Sequence, residues 1–206
     1  MLTKLKKKIQ DVLAAEAKLA HQARLTPNVI TVIVVILSFC SALAFAKWET
    51  NVLLLLLGTV LLLLSGFCDA LDGVVARIYG QATVFGGFLD SLLDRYADAV
   101  LFVGIIFGGL CDYRWGLAAI TGSLLVSYTR ARAEAAGVKM ESIGIAERAE
   151  RILIIAVAGL VALFWQPVTA MNAAVILLAF LTNVTVIQRA AYVYMKTKKK
   201  IVLSEA

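Results

Sequence analysis

In the stretch GFCDALDGVVARIYGQATVFGGFLDSLLD (residues 66–94), Asp69 and Asp72 lie three residues apart, and Asp90 and Asp94 lie four apart. On an α-helix either spacing puts both carboxylates on one face. The connecting RIYGQATVFGG is short and contains glycine, which predicts two antiparallel neighbouring helices whose carboxylate pairs face each other. Two like charges about 4 Å apart repel by roughly 4 kcal/mol at an effective dielectric of 20. Four such groups therefore need cations among them or must take up protons. The first solution is a hard, all-oxygen site for Mg2+ or Mn2+, with room for two ions. The second is the proton or cation relay of a carrier.

The neighbouring residues separate these two chemistries. Gly73 and Ala76 leave a groove beside the aspartates into which a ligand can come close to the backbone. Arg77 follows Gly73 by one helical turn, and its planar fork suits a phosphate. Acidic metal ligands, a groove and an arginine together fit a diphosphate held through metal. A proton- or cation-coupled transporter has less need of the groove and the arginine.

The elements that hold these residues must lie in or against a membrane. The chain of 206 residues is 61% hydrophobic, with a mean hydropathy of +0.88. Soluble domains run at about 45–50% apolar residues. Six spans of membrane-crossing character are expected, at 29–46, 52–78, 84–110, 115–135, 148–165 and 169–195. Thr26-Pro27 opens the first as N-cap and first helical residue. With both termini on one side, that side holds every lysine and arginine except Lys47 and Arg114, so both termini and the aspartates are expected to be cytoplasmic. The expected fold is all-α and integral to the membrane. Residues 1–25 form a cytoplasmic juxtamembrane amphipathic helix, 26–196 the six-helix domain, and 197–206 a basic tail. Leu2, Leu5, Ile9, Val12, Leu13 and Ala17 supply the apolar stripe of that first helix, among lysines.

Other features exclude alternatives. The net charge of +6 in so apolar a chain points to anionic lipid heads rather than to nucleic acid. Cys40, Cys68 and Cys111 have unrelated spacings and read as small buried residues, not as a zinc site or a disulfide framework. The basic, polar first 25 residues have no signal-peptide core. His21, the only histidine, has no partner visible in the sequence and is given no catalytic role. A prenyl synthase of the soluble type, which also uses paired acidic motifs, does not suit a chain that is apolar throughout.

The arrangement Asp69-x2-Asp72-Gly73-x2-Ala76-Arg77-x8-Gly86-x3-Asp90-x3-Asp94 resembles the signature of the CDP-alcohol phosphotransferase family at every fixed position. Thr26-Pro27-Asn28 and the six-helix plan extend the likeness over nearly the whole chain. The resemblance implies transfer of the phospholipid moiety of a CDP-linked lipid, CDP-diacylglycerol or CDP-archaeol, to an alcohol, with release of CMP. It implies that Asp69, Asp72 and Asp90 bind metal. It makes Asp94 the general base that deprotonates the acceptor hydroxyl, close enough to touch a second metal. Asn28, Asp69, Gly73, Arg77 and Thr83 become contacts for CDP. The cofactor is expected to be Mg2+, as one or two ions with Mn2+ as substitute. Homodimerisation is expected, and small residues on the third and fourth spans permit it. Asp98, one turn beyond the signature, is expected to have a structural hydrogen-bonding role.

The acceptor is read from SYTRARAEAAGVKMESIGIAERAERILI (127–154). Arginines near hydrocarbon are costly, and a phosphate dianion is a natural partner for them, although each alone could be a positive-inside anchor. SYTRARAE and ERAER resemble the subgroup that makes phosphatidylinositol phosphate or archaetidylinositol phosphate. That implies inositol 1-phosphate as acceptor, with Ser127, Arg130, Arg148, Arg151 and Arg189 around its phosphate. Glycerol 3-phosphate is also phosphorylated and is the main alternative.

Overall fold

The computed structural model describes residues 15–20, 22–140 and 143–204, with side chains to Lys198. His21 and most of the expected amino-terminal amphipathic stripe lie outside the described residues. Residues 15–20 are helical, and Ala17 and Ala20 pack with Ile30, Leu71 and Val75 over one end of the bundle.

Six helices follow: α1 (Pro27–Ala46), α2 (Leu53–Ile78), α3 (Val84–Phe107), α4 (Tyr113–Ala135), α5 (Arg148–Val161) and α6 (Pro167–Ser204). Their starts carry the expected chemistry. The Thr26 side chain accepts from Val29 N, with Pro27 as first helical residue, and Thr83 Oγ1 accepts from Gly86 N at 2.9 Å. Glycine ends three of them where the backbone turns left-handed, Gly80 (φ 63°) after α2, Gly109 (φ 64°) after α3 and Gly137 (φ 74°) after α4. In each, the next amide bonds back to a carbonyl of the last turn: Gln81 N to Ala76 O at 3.0 Å, Leu110 N to Ile105 O at 3.1 Å and Val138 N to Ala133 O at 2.9 Å. After α3, that turn stops the helix at Phe107 rather than at 110. The fifth helix is also shorter than expected, ending at Val161, with a turn over residues 162–164 leading to the start of α6 at Pro167.

The helices close into a ring in which α1 packs on α2 and α3, α2 on α5, α5 on α6, α6 on α4, and α4 on α3. The short connection had pointed to α2 and α3 as direct neighbours. Instead both pack on α1, so their aspartate-bearing ends face each other across a cleft. The contact that sets this spacing is tight. A Cβ on Gly104 of α3 would fall onto the Ala42 carbonyl of α1, and one on Gly108 onto the Phe45 carbonyl. Small residues at such crossings let backbones approach closely. Trp48 Nε1 donates to Gly108 O at 2.6 Å and fastens the same end.

Among the described residues, three helices are long and apolar enough to cross a membrane: Pro27–Ala46, Leu53–Ile78 and Pro167–Lys198. The others are shorter or more charged: α3 carries Asp90, Asp94, Arg95 and Asp98, α4 has Arg130 and Arg132 near its end, and α5 has only 14 residues. Large apolar side chains such as Leu43, Leu53 and Ile187 point outward, 63%, 65% and 68% exposed. In water so many would be a liability; in a bilayer they meet their natural solvent.

Candidate active site

The site lies where the end of α2, the start of α3 and the start of α5 converge. Asp69, Asp72 and Asp90 each offer a carboxylate oxygen, and these oxygens all lie within 4.8 Å of one another. Asp72 is the most enclosed of them, 5% exposed, and its Oδ2 accepts a 2.8 Å hydrogen bond from Thr31 Oγ1 of α1. That hydroxyl is shared with Pro27 O at 3.0 Å, which fixes the carboxylate's orientation. Asp94 stands one turn deeper on α3. Its Oδ1 is buried and has no hydrogen-bond partner among the described residues, while Arg148 Nη1 makes an ion contact with it at 2.5 Å. Three converging hard oxygens, with the Asp94 carboxylate one turn away, fit a divalent cation of the Mg2+ or Mn2+ type.

Arg148, the first residue of α5, forms the positive centre of this cluster. It pairs with Asp69 and Asp94 and lies 3.6 Å from Asp98. Next on that helix face, Arg151 is 5% exposed. It pairs with Asp98 and donates to Ala146 O at 2.9 Å.

Two cavities open on either side of the carboxylates, and Asp90 lines both. One, of about 200 Å3, is bounded by Asn28, Asp72, Gly73, Arg77, Gln81 and Thr83 among others. It gathers Gly73 and Arg77, which the residue pattern had already paired, with Asn28 and Thr83, which only the family resemblance suggested. A Cβ on Gly73 would stand 3.4 Å from Arg77 Nη1, and one on Gly86 about 3.0 Å from Asn28 Oδ1. Both glycines therefore keep the cavity floor open. Thr83 also has a local task as the cap of α3.

The other cavity, of about 460 Å3, is lined by Asp94, Asp98, Ser127, Arg130, Glu147, Arg148, Arg151 and Arg189 among others. All five residues expected around an acceptor phosphate meet there. Their states differ. Arg130 is half-exposed and pairs with Glu134 at 3.0 Å. Arg189 is 2% exposed and is committed mainly to backbone, donating to Ile143 O at 2.7 Å and Val126 O at 2.5 Å. It thereby ties α4 and the loop before α5 to α6, with Glu147 at 3.6 Å from its remaining nitrogen. Thr185 holds the same loop by accepting from Ile145 N and Ala146 N, each at 3.2 Å.

Sequence reasoning missed Thr31 and Glu147. A threonine in an apolar helix carries no signal of its own, and its partner Asp72 is 41 residues away. Glu147 belonged to the quoted ERAER stretch, but attention there went to the arginines.

Comparison with known proteins agrees with this geometry. Archaetidylinositol phosphate synthase of Pyrococcus horikoshii is 40% identical over 191 residues, spanning 92% of this chain and 94% of its own. The archaetidylinositol phosphate synthase of Methanothermobacter thermautotrophicus is 49% identical over 144 residues, 70% of this chain and 73% of its own. Mycobacterium tuberculosis phosphatidylinositol phosphate synthase, solved with CDP-DAG bound, superposes with a TM-score of 0.76 at 30% identity, covering 89% of this chain and 94% of that one. The same mycobacterial enzyme in complex with manganese and citrate gives a TM-score of 0.75 at 30% identity, covering 88% of each. The sequence profile of CDP-alcohol phosphatidyltransferase matches residues 24–187; with the eight signature residues gathered around one cleft, this chain belongs to the CDP-alcohol phosphatidyltransferase family.

Proposed function

We propose that this protein transfers the phospholipid moiety of a CDP-linked lipid to inositol 1-phosphate, giving phosphatidylinositol phosphate or archaetidylinositol phosphate and CMP. The observation that carries the reading is the placement of one carboxylate cluster between two cavities, one with a single arginine, the other lined by Arg130, Arg148, Arg151 and Arg189. A diphosphate already partnered by metal needs few arginines. A second phosphate, brought by the acceptor, needs its own.

Asn28, Asp69, Gly73, Arg77 and Thr83 hold the CDP end, with Arg77 on the diphosphate. Asp69, Asp72 and Asp90 would hold Mg2+, with Asp94 available to a second ion, and Mn2+ would suit the same oxygens. Such a cation would supply charge neutralisation at the diphosphate and a better CMP leaving group. Arg130, Arg148 and Arg151, with Ser127, take the acceptor phosphate, while Arg189 braces the wall behind them. The acceptor hydroxyl then faces Asp94, whose carboxylate takes its proton. The hydroxyl oxygen bonds to the lipid-side phosphorus, the bridging P–O bond breaks, and CMP leaves with that bond's electron pair. Holding both phosphates fixed supplies most of the catalysis, and one positioned base completes it.

We further infer six spans, with both termini and the site on the cytoplasmic side of the cell membrane, from the distribution of lysine and arginine. A homodimer is the assembly we expect, and light scattering in detergent tests it. The function is tested by CMP release from CDP-archaeol and CDP-diacylglycerol against a panel of acceptors. Release with inositol 1-phosphate is expected. Release with glycerol 3-phosphate and none with inositol 1-phosphate would reassign the acceptor.

A further inference from the structure

Asp98 stands outside the family signature, yet it is among the most enclosed carboxylates of the molecule, 8% exposed. Both guanidinium groups on the site face of α5 converge on it, Arg151 through Nη2 to Oδ2 and Arg148 with Nε 3.6 Å from Oδ1. The second separation is an ion contact, too long for a hydrogen bond. Arg148 Nε and Arg151 Nε are buried, and neither has a hydrogen-bond partner among the described residues. Both arginines line the larger cavity. Two enclosed cations in the wall of one cavity suit an anion there, and Asp98, which lines the same cavity, is a carboxylate that both of them contact.

We propose that Asp98 is a positioning residue for the acceptor: it holds Arg151, and through charge Arg148, in the cavity wall so that their guanidinium groups meet the acceptor's phosphate. This rests on the reading that the acceptor is phosphorylated. Three features favour orientation over mere neutralisation. Arg151 is held at two separate points, by Asp98 and by Ala146 O, so its guanidinium plane is fixed. Arg148 has other anionic partners in Asp69 and Asp94, so Asp98 is not needed to balance its charge. Without Asp98, Arg148 would be drawn wholly toward the signature carboxylates and away from the acceptor cavity. Asp98 thus sets how one arginine is divided between two sites.

The test is Asp98→Asn, with initial rates of CMP release measured while donor and acceptor are varied separately. The expected result is a rise of roughly ten- to hundredfold in KM for inositol 1-phosphate, since an ångström of misplacement can cost about that much. KM for the CDP-lipid should stay within about twofold. Asp98→Glu, which restores the charge at the cost of one methylene, should recover part of the acceptor KM. A double-variant cycle with Arg151→Gln should be strongly non-additive, because the second change removes what the first misplaces. If Asp98→Asn does not fold, Asp98→Glu and Arg151→Gln alone must still raise acceptor KM selectively. A loss shared equally by both substrates, or confined to kcat or to thermal stability, overturns the positioning role. A wild-type protein that transfers only to unphosphorylated alcohols would instead overturn the underlying reading, and with it this inference.

Discussion

Arg148→Gln is the perturbation with the largest effect on the resting protein. The arginine lies among Asp69, Asp94 and Asp98, whose side chains are 28%, 24% and 11% exposed, while its own is 13% exposed. A unit charge pair at the 3.6 Å separation from Asp98 is worth about 4–5 kcal/mol at an effective dielectric of 20, and the other two pairs are closer. Part of that is offset by the cost of enclosing the guanidinium, and removing one partner of a buried pair typically costs about 3–5 kcal/mol. For a chain of this size that corresponds to a fall in Tm of roughly 6–20 °C. The distinguishing feature is its dependence on divalent cation. In EDTA the variant should show the full loss. Saturating Mg2+ should return about 2–3 kcal/mol, the linkage expected at roughly a hundred times the dissociation constant, because the cation replaces the charge that was removed. Thermal unfolding in detergent, with EDTA and with Mg2+, reads all four states. A variant as stable as the wild type in EDTA would refute the view that Arg148 is the internal counter-charge of the carboxylates. So would a destabilised variant that Mg2+ leaves unchanged.

Asp94→Asn should lower CMP release by about 10²–10⁴-fold, the usual contribution of a general base, with CDP-lipid binding measured by calorimetry largely retained. Thr31→Val removes the 2.8 Å bond to Asp72 and should weaken Mg2+ binding by about 10–100-fold, as loss of an outer-shell partner typically does; a Mg2+ titration of activity and of Tm checks it. Gly104→Ala forces a methyl group onto the Ala42 carbonyl and should cost about 1–3 kcal/mol of stability, with the α1–α3 spacing and hence activity falling together. Chelation with EDTA should abolish CMP release in the wild type, and Mg2+ or Mn2+ should restore it.

The carboxylate face was legible because helical periodicity is local: a spacing of three or four residues fixes which side chains share a face, whatever surrounds the helix. Asp69 and Asp72 accordingly converge with Asp90, and Asp90 and Asp94 line one cavity. Distance across the bundle is not local. The loop between α2 and α3 is short, and shortness read as adjacency, but loop length constrains only the helix ends. The packing of α3 on α1 depends on Gly104 and Gly108 meeting the Ala42 and Phe45 carbonyls, a fit between surfaces that no periodicity encodes. Thr31 is hidden for the same reason, since its value lies in a partner on another helix. The arginines show a subtler limit. Sequence could say that Arg148, Arg151 and Arg189 are too costly to be idle, yet it could not divide their labour.

That division follows from what each guanidinium already holds. Arg189 spends Nε and Nη1 on the carbonyls of Ile143 and Val126, so it joins three segments and has little left for a ligand. Arg151 spends two nitrogens on Asp98 and Ala146 and keeps a third free. Arg148 is held only by carboxylate side chains, including a hydrogen bond to Asp69, with no carbonyl to anchor it among the hydrogen bonds described. Of the three it is therefore the one free to exchange partners, and it stands where the carboxylate cluster meets the larger cavity. A cation among Asp69, Asp72 and Asp90 competes with Arg148 for Asp69, while an acceptor phosphate attracts it from the other side. Both ligands favour the same displacement, so each should bind more tightly in the presence of the other, as reciprocal linkage requires. Their coupling would then arise from one side chain sharing its charge between two cavities.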